Sequence, residues 1–352
     1  MSSPSRSAEP CDDAAPPTTT PQHSLLTLLT AKPTLPAPLR AHATRLTGAL
    51  ARFHSHYAPQ YPDGRVDALL AALLTPVRHA ALQNTYSSSS SSNRLSAESE
   101  QLPWFPTPAY TSSTPFPPPG RRGEHYLLDA GSLLPVVALS VERGMKVLDL
   151  CAAPGGKSVS ISQLLQGSGE LHVNEPDKAR RGRLKAVLAE YLDGVRGVEV
   201  KVSGEDGTRF SGSGYDRVLV DAPCSSSRHV LQAANKAFRS GSEKGLEDLL
   251  TWTSKRPQKC AALQQALLKR ALNAVKVGGR VVYATCSIDE VENDGVVKAV
   301  VAAAEWKGRA KVVRPKGEEL WVGERTKTGW VCLPDRGEGW GPLFFAVVKR
   351  VA

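Results

Sequence analysis

From residue 126 to the carboxyl terminus, short apolar runs rich in β-branched residues alternate with segments of helical character. Apolar runs of about four to eight residues are typical of buried strands. A chain in which strands and helices alternate forms a mostly parallel sheet with helices on both faces. We therefore predict a doubly wound α/β domain with an antiparallel last strand. The predicted strands are KVLDLC, ELHVNE, VEVKVSGED, DRVLVDAP, GRVVYATC, GWVCLP and PLFFAVVKRV, whereas LLDAGSLLPVVALSV predicts a turn and a helix.

Composition divides the rest of the chain into segments. Residues 1–22 are rich in Ser, Pro and Thr, which predicts a disordered tail. Residues 23–86 are predicted to be a helical region, because apolar residues between Val66 and Val77 recur at helical spacing. Residues 87–122 begin with six consecutive serines and are rich in proline, which predicts a linker or a long surface loop. Residues 123–352 then form the main domain.

The cysteines and the amino end bear on the compartment. None of the six cysteines forms a CxxC pair, which argues against a zinc or thioredoxin-type site, and we expect no metal. No apolar run reaches the ~20 residues that span a bilayer, so we expect no membrane partner. Between Asp13 and Asp63 there are basic but no acidic residues, as in mitochondrial transit peptides. Since Glu9 and Asp12 are unusual for such a peptide, the nucleus, nucleolus or cytoplasm is the alternative to a mitochondrial location.

The chain is basic, with 44 Lys and Arg residues, 34 Asp and Glu residues and a formal net charge of +10. Residues 225–275 alone hold nine Lys or Arg residues and three acidic ones. Such an excess attracts polyanions, although it is equally compatible with an ordinary solvated surface. The charge therefore favours a polyanionic partner, which this basic segment would face.

A glycine turn follows the first predicted strand of the main domain. In CAAPGGKS, Gly155 and Gly156 would let the backbone approach a ligand at the amino end of a helix. Neither GxxxxGK[ST] nor GxGxxG is present, which favours a smaller adenosine ligand over a triphosphate or a dinucleotide. Glu175 ends the next strand and suits ribose hydroxyls, and the acids of GEDG (204–207) suit an adenine amino group. We infer S-adenosylmethionine, although each feature taken alone is more often a simple turn or helix cap.

Two cysteines lie at the ends of predicted strands. Cys224 follows the strand in DRVLVDAP and Cys286 ends GRVVYATC, so both are expected at the carboxyl edge where doubly wound sheets bind ligands. A free cysteine is most often a small buried hydrophobe, and we assign that role to the thiols of Cys151, Cys260 and Cys332. Two thiols beside a cofactor turn instead predict covalent chemistry on a substrate.

The sequences LDLCAAPGGKS, DAPCSSS and YATCS resemble the signature motifs of the Nop/Sun family of RNA (cytosine-5) methyltransferases. Within it, DAPCSSSRHVL, GWGPLFFAVVKRV and YLLDAGSLLPVVAL resemble the mitochondrial ribosomal-RNA subgroup. The resemblance covers residues 50–85 and 124–352. It implies a Rossmann-like class I methyltransferase fold with S-adenosylmethionine as cofactor. Ribosomal RNA is the expected substrate and tRNA the alternative, and the small amino-terminal region suggests a protein partner that delivers the RNA.

The resemblance also implies roles for single residues. Cys286 takes the position of the family nucleophile, and Cys224 that of the cysteine that releases the product. Asp221 lies near the methyl donor, and Ser226 replaces the usual glycine after the first Cys-Ser. Glu175 takes the ribose position and Asp206 the adenine position. The implied cofactor-binding residues are Cys151, Ala152, Ala153, Pro154, Gly155, Gly156, Lys157, Glu175, Arg180, Asp206, Gly207 and Asp221.

The chemistry explains why two thiols are needed. A thiolate that adds to C6 of cytosine makes C5 nucleophilic enough to take a methyl group, after which the C5 proton must leave. Lys157 would lower the pKa of the attacking thiol, Asp221 would bind the amino or N3 edge, and the base must be extruded. One alternative is an enzyme that attacks through Cys224, as DNA methyltransferases do. Another is a ribosome-assembly or RNA-binding factor whose catalysis is secondary.

Overall fold

The computed structural model describes residues 37–352, apart from 88–94, 96–97, 113, 117–122, 194, 316, 318–319 and 337–338. The predicted disordered tail, residues 1–22, therefore lies outside the described residues. The strands in chain order are β1 (His79–Gln83), β2 (Glu100–Gln101), β3 (Ala109–Thr111), β4 (His125–Asp129), β5 (Lys146–Asp149), β6 (Gly169–Asn174), β7 (Val198–Ser203), β8 (Tyr215–Asp221), β9 (Val275–Thr285), β10 (Ala310–Val313), β11 (Glu324–Arg325), β12 (Trp330–Cys332) and β13 (Leu343–Arg350). The helices are α1 (Ala37–Arg40), α2 (Ala43–Tyr57), α3 (Arg65–Leu74), α4 (Leu133–Ala138), α5 (Gly156–Leu164), α6 (Lys178–Leu192), α7 (Ser227–Ser240), α8 (Glu247–Leu250), α9 (Lys255–Ala274) and α10 (Asp294–Ala302).

In the described part of the chain, a nine-stranded sheet has the order β11–β12–β13–β9–β8–β5–β6–β7, with β10 paired to β13. The strands β5 to β9 are mutually parallel. The strand β13 is antiparallel to β9, with Phe344 opposite Thr285, and β12 is antiparallel to β13. The predicted doubly wound sheet with an antiparallel last strand is therefore confirmed.

The order of the parallel strands reverses at β5, whose neighbours are β6 on one side and β8 on the other. In open α/β sheets, ligands bind in the crevice outside the carboxyl ends of the strands at this switch point. The chain that leaves β5 carries the glycine turn, and the chains that leave β8 and β9 carry Cys224 and Cys286. The topology thus brings these three segments to one edge of the sheet.

A second, antiparallel sheet has the order β2–β3–β1–β4. Two of its strands lie within residues 87–122, which we predicted to be a linker or loop, and β1 lies within the region predicted to be helical. The strand β4 also replaces the beginning of the turn predicted ahead of α4. These strands have between two and five residues, so they show no periodicity that identifies a strand. Ala80, Leu82 and Ala109 are nevertheless fully buried, because this sheet packs on the core of the large one.

Alternate residues of each central strand face opposite sides of the large sheet, and each side has its own core. On β8, Val218 and Val220 belong to one apolar cluster and Leu219 to the other. The amino-terminal helices contribute to the first cluster, in which the rings of Phe53 and Trp252 lie 4.8 Å apart. The amino-terminal helical region therefore shares a hydrophobic core with the sheet that carries the two cysteines.

This shared core can be tested with Phe53→Ala. Phe53 is fully buried, so its loss should reduce the free energy of unfolding of the whole molecule by about 3–5 kcal/mol. Chemical denaturation followed by tryptophan fluorescence and circular dichroism measures the change. Leu320→Ala is the control, because Leu320 is exposed and should change stability by less than about 0.5 kcal/mol. A separate early transition that leaves the main one unchanged would contradict the shared core.

Candidate active site

The two predicted thiols lie side by side at the carboxyl edge of the sheet. The Sγ atoms of Cys224 and Cys286 are 2.8 Å apart, and both cysteines are free. Their proximity follows from the strand register, because β8 and β9 are parallel neighbours with Asp221 opposite Ala284. Cys286 is exposed at this edge, and Cys224 is half-buried.

The pair is electrostatically asymmetric. The hydrogen bond with Cys224 lowers the pKa of the Cys286 thiol. The surrounding protein, which reduces its contact with water, opposes this shift, and the hydroxyl of Ser226 adds to the lowering. The same hydrogen bond, together with burial, raises the pKa of Cys224 well above its usual range. Since the thiolate is the nucleophilic form, Cys286 is the thiol that this geometry ionises first.

A buried carboxylate that the sequence did not single out ties the two cysteine segments together. Ser225 and Ser287, the residues directly after the two cysteines, both donate their hydroxyls to Oε1 of Glu292. The second oxygen of Glu292 accepts the backbone N–H of Ser225 and the amide of Gln264, each at 2.9 Å. Glu292 is fully buried, so all of these bonds lie out of reach of water. This carboxylate fixes the spacing between the chains that carry Cys224 and Cys286.

Lys157 and Asp221 form an ion pair beside the thiols. Lys157, in the first turn of α5, donates from Nζ to Oδ2 of Asp221 at the end of β8, at 2.7 Å. Burial alone would favour the neutral amine, but the adjacent carboxylate outweighs it and raises the pKa of Lys157. The ammonium therefore stays charged next to the two cysteines.

One cavity of about 530 Å³ joins the thiols to the predicted cofactor residues. It runs along the carboxyl ends of the strands from Glu175 to Cys224 and Cys286, and it includes the Lys157–Asp221 pair. The predicted cofactor residues that line it are Cys151, Ala153, Lys157, Glu175, Arg180, Asp206, Gly207 and Asp221. The others, Ala152, Pro154, Gly155 and Gly156, line an adjoining cavity of about 190 Å³ that shares Ala153, Lys157 and Asp221 with the first.

The glycines of the turn have a packing role that the sequence analysis did not foresee. Gly155 has a φ of +120°, and a Cβ there would lie 3.1 Å from side-chain carbons of Leu184 and Val187 on α6. A Cβ on Gly156 would lie 2.6 Å from a ring carbon of Tyr126. The backbone conformation and the close approach of α6 and Tyr126 therefore require glycine here, independently of any ligand.

The two predicted acids differ in how tightly they are held. Glu175 is almost fully buried, with Oε1 accepting the N–H of Asp177 and Oε2 lying 3.5 Å from the guanidinium of Arg180. Asp206 is exposed, and its carboxylate accepts the backbone N–H and the hydroxyl of Thr208, which lowers its pKa. Asp206 therefore caps a short 3₁₀ turn and also lines the cavity.

Only part of the basic segment 225–275 is free to meet an external anion. Arg228 and Arg270 donate to backbone carbonyls, and Arg256 and Lys269 form ion pairs with carboxylates. The count of nine basic residues therefore overstated the surface charge. The basic residues of this segment that remain exposed are Lys236, Arg239, Lys244, Lys255 and Lys259.

The remaining described cysteines fit a packing role. Cys332 is fully buried in β12, and burial raises the pKa of the half-buried Cys260 to about 11. Burial also raises the pKa of Cys151, which lines the cavity. Within the described ranges, no group of three or more His, Cys, Asp and Glu side chains could hold a metal ion. In the same part of the chain, no helix has the length and apolar character needed to cross a membrane.

A doubly wound sheet with a cavity at its switch point and two thiols at the same edge is the arrangement expected of a Rossmann-like methyltransferase. A family model described as 16S rRNA methyltransferase RsmB/F matches residues 136–346. The chain belongs to this family, the Nop/Sun family of RNA (cytosine-5) methyltransferases.

Several relatives of this chain are named as RNA methyltransferases. It is 36% identical over 243 residues to 5-cytosine rRNA methyltransferase NSUN4 of Xenopus tropicalis, covering 65% of this chain and 57% of that protein. It is 36% identical over 236 residues to the mitochondrial tRNA (cytosine(34)-C(5))-methyltransferase of Danio rerio, covering 65% and 61%. It is 31% identical to NSUN4 of Bos taurus, covering 88% and 90%. The chain thus spans less than two thirds of the length of the frog and fish proteins, and most of the length of the bovine one.

Solved structures share the fold. The structure of NSun6 from Pyrococcus horikoshii with SFG has a TM-score of 0.66 at 17% identity, and the match covers 86% of this chain and 98% of that one. A methyltransferase homolog protein from the same organism has a TM-score of 0.65 at 21% identity, covering 94% and 100%. Because the sequence identities are this low, the two comparisons show a shared fold and nothing more specific.

The Glu292 carboxylate can be tested with Glu292→Gln. The variant replaces one carboxylate oxygen with an amide nitrogen, which cannot accept hydrogen bonds. With that nitrogen at the position of Oε2, the backbone N–H of Ser225 and the amide of Gln264 would each face another donor in a buried site. We expect a loss of about 1–3 kcal/mol in the free energy of unfolding, measured by denaturant titration. Glu290→Gln is the matched control, because Glu290 is an exposed acid two residues away. Equal losses in the two variants would contradict the role of Glu292.

Proposed function

We propose that this chain transfers a methyl group from S-adenosylmethionine to C5 of a cytosine in RNA, with Cys286 as nucleophile and Cys224 as the group that assists release. The observation that carries the proposal is the single cavity that holds both thiols and the acids at the ends of β6 and β7. A packing role for two adjacent thiols would not need a cavity of this size, nor an ion pair at its wall.

The residues of this cavity fit S-adenosylmethionine. The carboxylate of Glu175 is fixed at the end of β6, where it can accept from two ribose hydroxyls. Asp206, one strand further along the edge, can accept from the adenine amino group. When bound, S-adenosylmethionine supplies an electrophilic methyl group on a sulfonium sulfur. Cys151, Ala153 and Asp221 line the same cavity as Glu175 and the two thiols, so the donor and the target base would share one space.

Cys286 begins the proposed reaction. Its thiolate adds to C6 of the cytosine and forms a carbon–sulfur bond, and the displaced electron pair makes C5 nucleophilic. The electron pair at C5 would then take the methyl group, as the bond from that methyl group to the sulfonium sulfur breaks and leaves its electron pair on the sulfur. Asp221, held by Lys157, contacts the amino or N3 edge of the base and favours protonation at N3 as C6 is attacked.

Cys224 ends the reaction in this scheme. After methyl transfer, C5 carries both a methyl group and a proton. Once Cys286 is bonded to C6 it carries no charge and no longer raises the pKa of Cys224, so Cys224 can lose its proton to water. The Cys224 thiolate then removes the C5 proton, and the electron pair of that C–H bond restores the C5–C6 double bond as the Cys286 thiolate leaves. The opposite assignment, with Cys224 as nucleophile, is disfavoured by the asymmetry of the pair, because the thiol with the higher pKa is less ionised.

The target base must leave its stack to reach these thiols. The five exposed Lys and Arg residues of the segment 225–275 lie on α7, on α9 and on the chain between them, after the loop that carries Cys224. They are placed to contact the phosphates on either side of an extruded cytosine, which positions the RNA without reading its sequence.

Ribosomal RNA is the proposed substrate, since several relatives are named rRNA methyltransferases, and tRNA is the alternative. We propose a mitochondrial location on the names of relatives and on the charge pattern of the amino end. Bisulfite mapping of 5-methylcytosine in total RNA, with and without the gene, tests both substrates. A lost signal in rRNA supports the first choice, and a lost signal confined to tRNA would replace it.

The covalent step predicts opposite outcomes for the two cysteines. Cys224→Ala should accumulate a denaturation-resistant RNA–protein adduct, because the adduct forms but is not resolved. Cys286→Ala should form none and should not methylate. Cys260→Ala, which changes a half-buried thiol outside the pair, is the control and should behave as wild type. Denaturing gel electrophoresis with labelled RNA gives the result, and the reverse pattern would assign attack to Cys224.

The cofactor assignment predicts a specific loss in Glu175→Gln. A hydrogen bond to a charged group contributes about 1.5–3 kcal/mol, so affinity for S-adenosylhomocysteine should fall by roughly 10- to 100-fold. Calorimetric titration of the full chain measures it. Glu190→Gln, an exposed acid on the neighbouring α6, should bind as wild type. Unchanged binding in Glu175→Gln would remove Glu175 from the cofactor site.

The second candidate is a ribosome-assembly or RNA-binding factor whose catalysis is secondary. The amino-terminal helices, which pack on the segments that follow both cysteines, would form part of its binding surface. Tyr57 contacts the hydroxyl of Ser227 at 3.0 Å, and Tyr61 donates to the carbonyl of Ile288 at 2.6 Å. Complementation with Cys286→Ala separates the candidates. Rescue of ribosome assembly without methylation would favour the scaffold.

A further inference from the structure

Ser226 has a backbone conformation that serine rarely adopts. Its φ and ψ are both +52°, in the left-handed region, where glycine is unstrained and a side chain is not. This residue is the one that stands in place of the usual glycine after the first Cys-Ser. Strained non-glycine residues of this kind persist where the surrounding structure holds them, and they concentrate at functional sites.

The side chain of Ser226 is directed at the two thiols. Its Oγ lies 3.4 Å from Sγ of Cys224, 3.7 Å from Sγ of Cys286 and 3.3 Å from the backbone carbonyl oxygen of Cys224, to which it donates. The hydroxyl thus forms the third corner of a triangle whose short side is the 2.8 Å contact between the sulfurs. A glycine at this position would give the same backbone turn but would leave this corner without a hydrogen-bond donor.

We propose that Ser226 is a further catalytic residue, whose hydroxyl donates a hydrogen bond to the Cys286 thiolate before it attacks cytosine. The proposal rests on the proposed function. A hydrogen bond in which the acceptor is ionised is roughly twice as strong as a neutral one. When Cys286 ionises, the hydroxyl therefore turns to the thiolate in preference to the neutral thiol and the backbone carbonyl of Cys224. With Cys224 also donating, the charge on Cys286 accepts two hydrogen bonds.

The other ionisable groups around Cys286 act in opposing directions. Lys157 on α5 favours the thiolate, and Asp221 at the end of β8 disfavours it. Cys260 on α9 also senses the charge of Cys286 and remains neutral because burial raises its pKa. Because Lys157 and Asp221 neutralise one another as an ion pair, the hydrogen-bond donors beside the sulfur have the deciding effect.

The test compares Ser226→Gly with Ser226→Ala. Both variants lack the hydroxyl, but only glycine relieves the strain of the left-handed backbone. A change in alkylation rate that both variants share is therefore due to the loss of the hydroxyl. A difference between the two variants is due to backbone strain. The rate at which iodoacetamide alkylates Cys286 is measured against pH by peptide mass spectrometry. Since the hydroxyl stabilises the thiolate, its removal should raise the pKa of Cys286, and below that pKa both variants should alkylate about tenfold more slowly.

Ser226→Gly should fold at least as well as the wild type, because glycine relieves the strained backbone, and this keeps the test valid if Ser226→Ala unfolds. An alkylation profile of Ser226→Gly that coincides with that of the wild type would overturn the proposal. The readout needs neither RNA nor methyl transfer. Failure of the methyltransferase proposal, seen as methylation that survives Cys286→Ala, is therefore a separate result.

Discussion

The parallel pairing of β8 with β9 is the constraint on which the site depends. Asp221 lies opposite Ala284, so the chains that leave these strands run side by side and deliver Cys224 and Cys286 to one point. If one of these strands shifted by one residue relative to the other, the side chains of the shifted strand would turn to the opposite face of the sheet. The buried carboxylate of Glu292 then holds the two departing chains together through the serines that follow the cysteines. The pairing of β8 with β9 and the carboxylate of Glu292 thus bring together two thiols that are 62 residues apart in the sequence.

The same edge controls the charge of the thiols. Two identical thiols in contact cannot both ionise readily, and the structure favours ionisation of Cys286. The Lys157–Asp221 pair, built from the first turn of α5 and the end of β8, adds one cation and one carboxylate at the wall of the same cavity. The site is therefore suited to a reaction in which one thiol attacks and the other manages a proton.

Much of this architecture could be predicted from the sequence, for identifiable reasons. The central strands are continuous β-branched runs, and strand ends that carry Cys224, Cys286 and Glu175 share an edge in any doubly wound sheet. The small sheet escaped prediction because strands such as Glu100–Gln101 are too short to show a period. Glu292 escaped it because one of its partners, Ser225, is 67 residues away. Charge counting also failed for Arg228, whose guanidinium is buried against backbone carbonyls.

The central claim is that Cys286 becomes covalently bonded to the target base. Its most direct measurement uses substrate RNA in which cytidine is replaced by 5-fluorocytidine, together with S-adenosylmethionine and the wild-type chain. Because C5 then carries fluorine instead of a proton, the adduct cannot be resolved and should persist through denaturation. Tandem mass spectrometry of the digested adduct should find the nucleotide on the peptide that contains Cys286. A nucleotide on Cys224, or methyl transfer that leaves no adduct, would contradict the account.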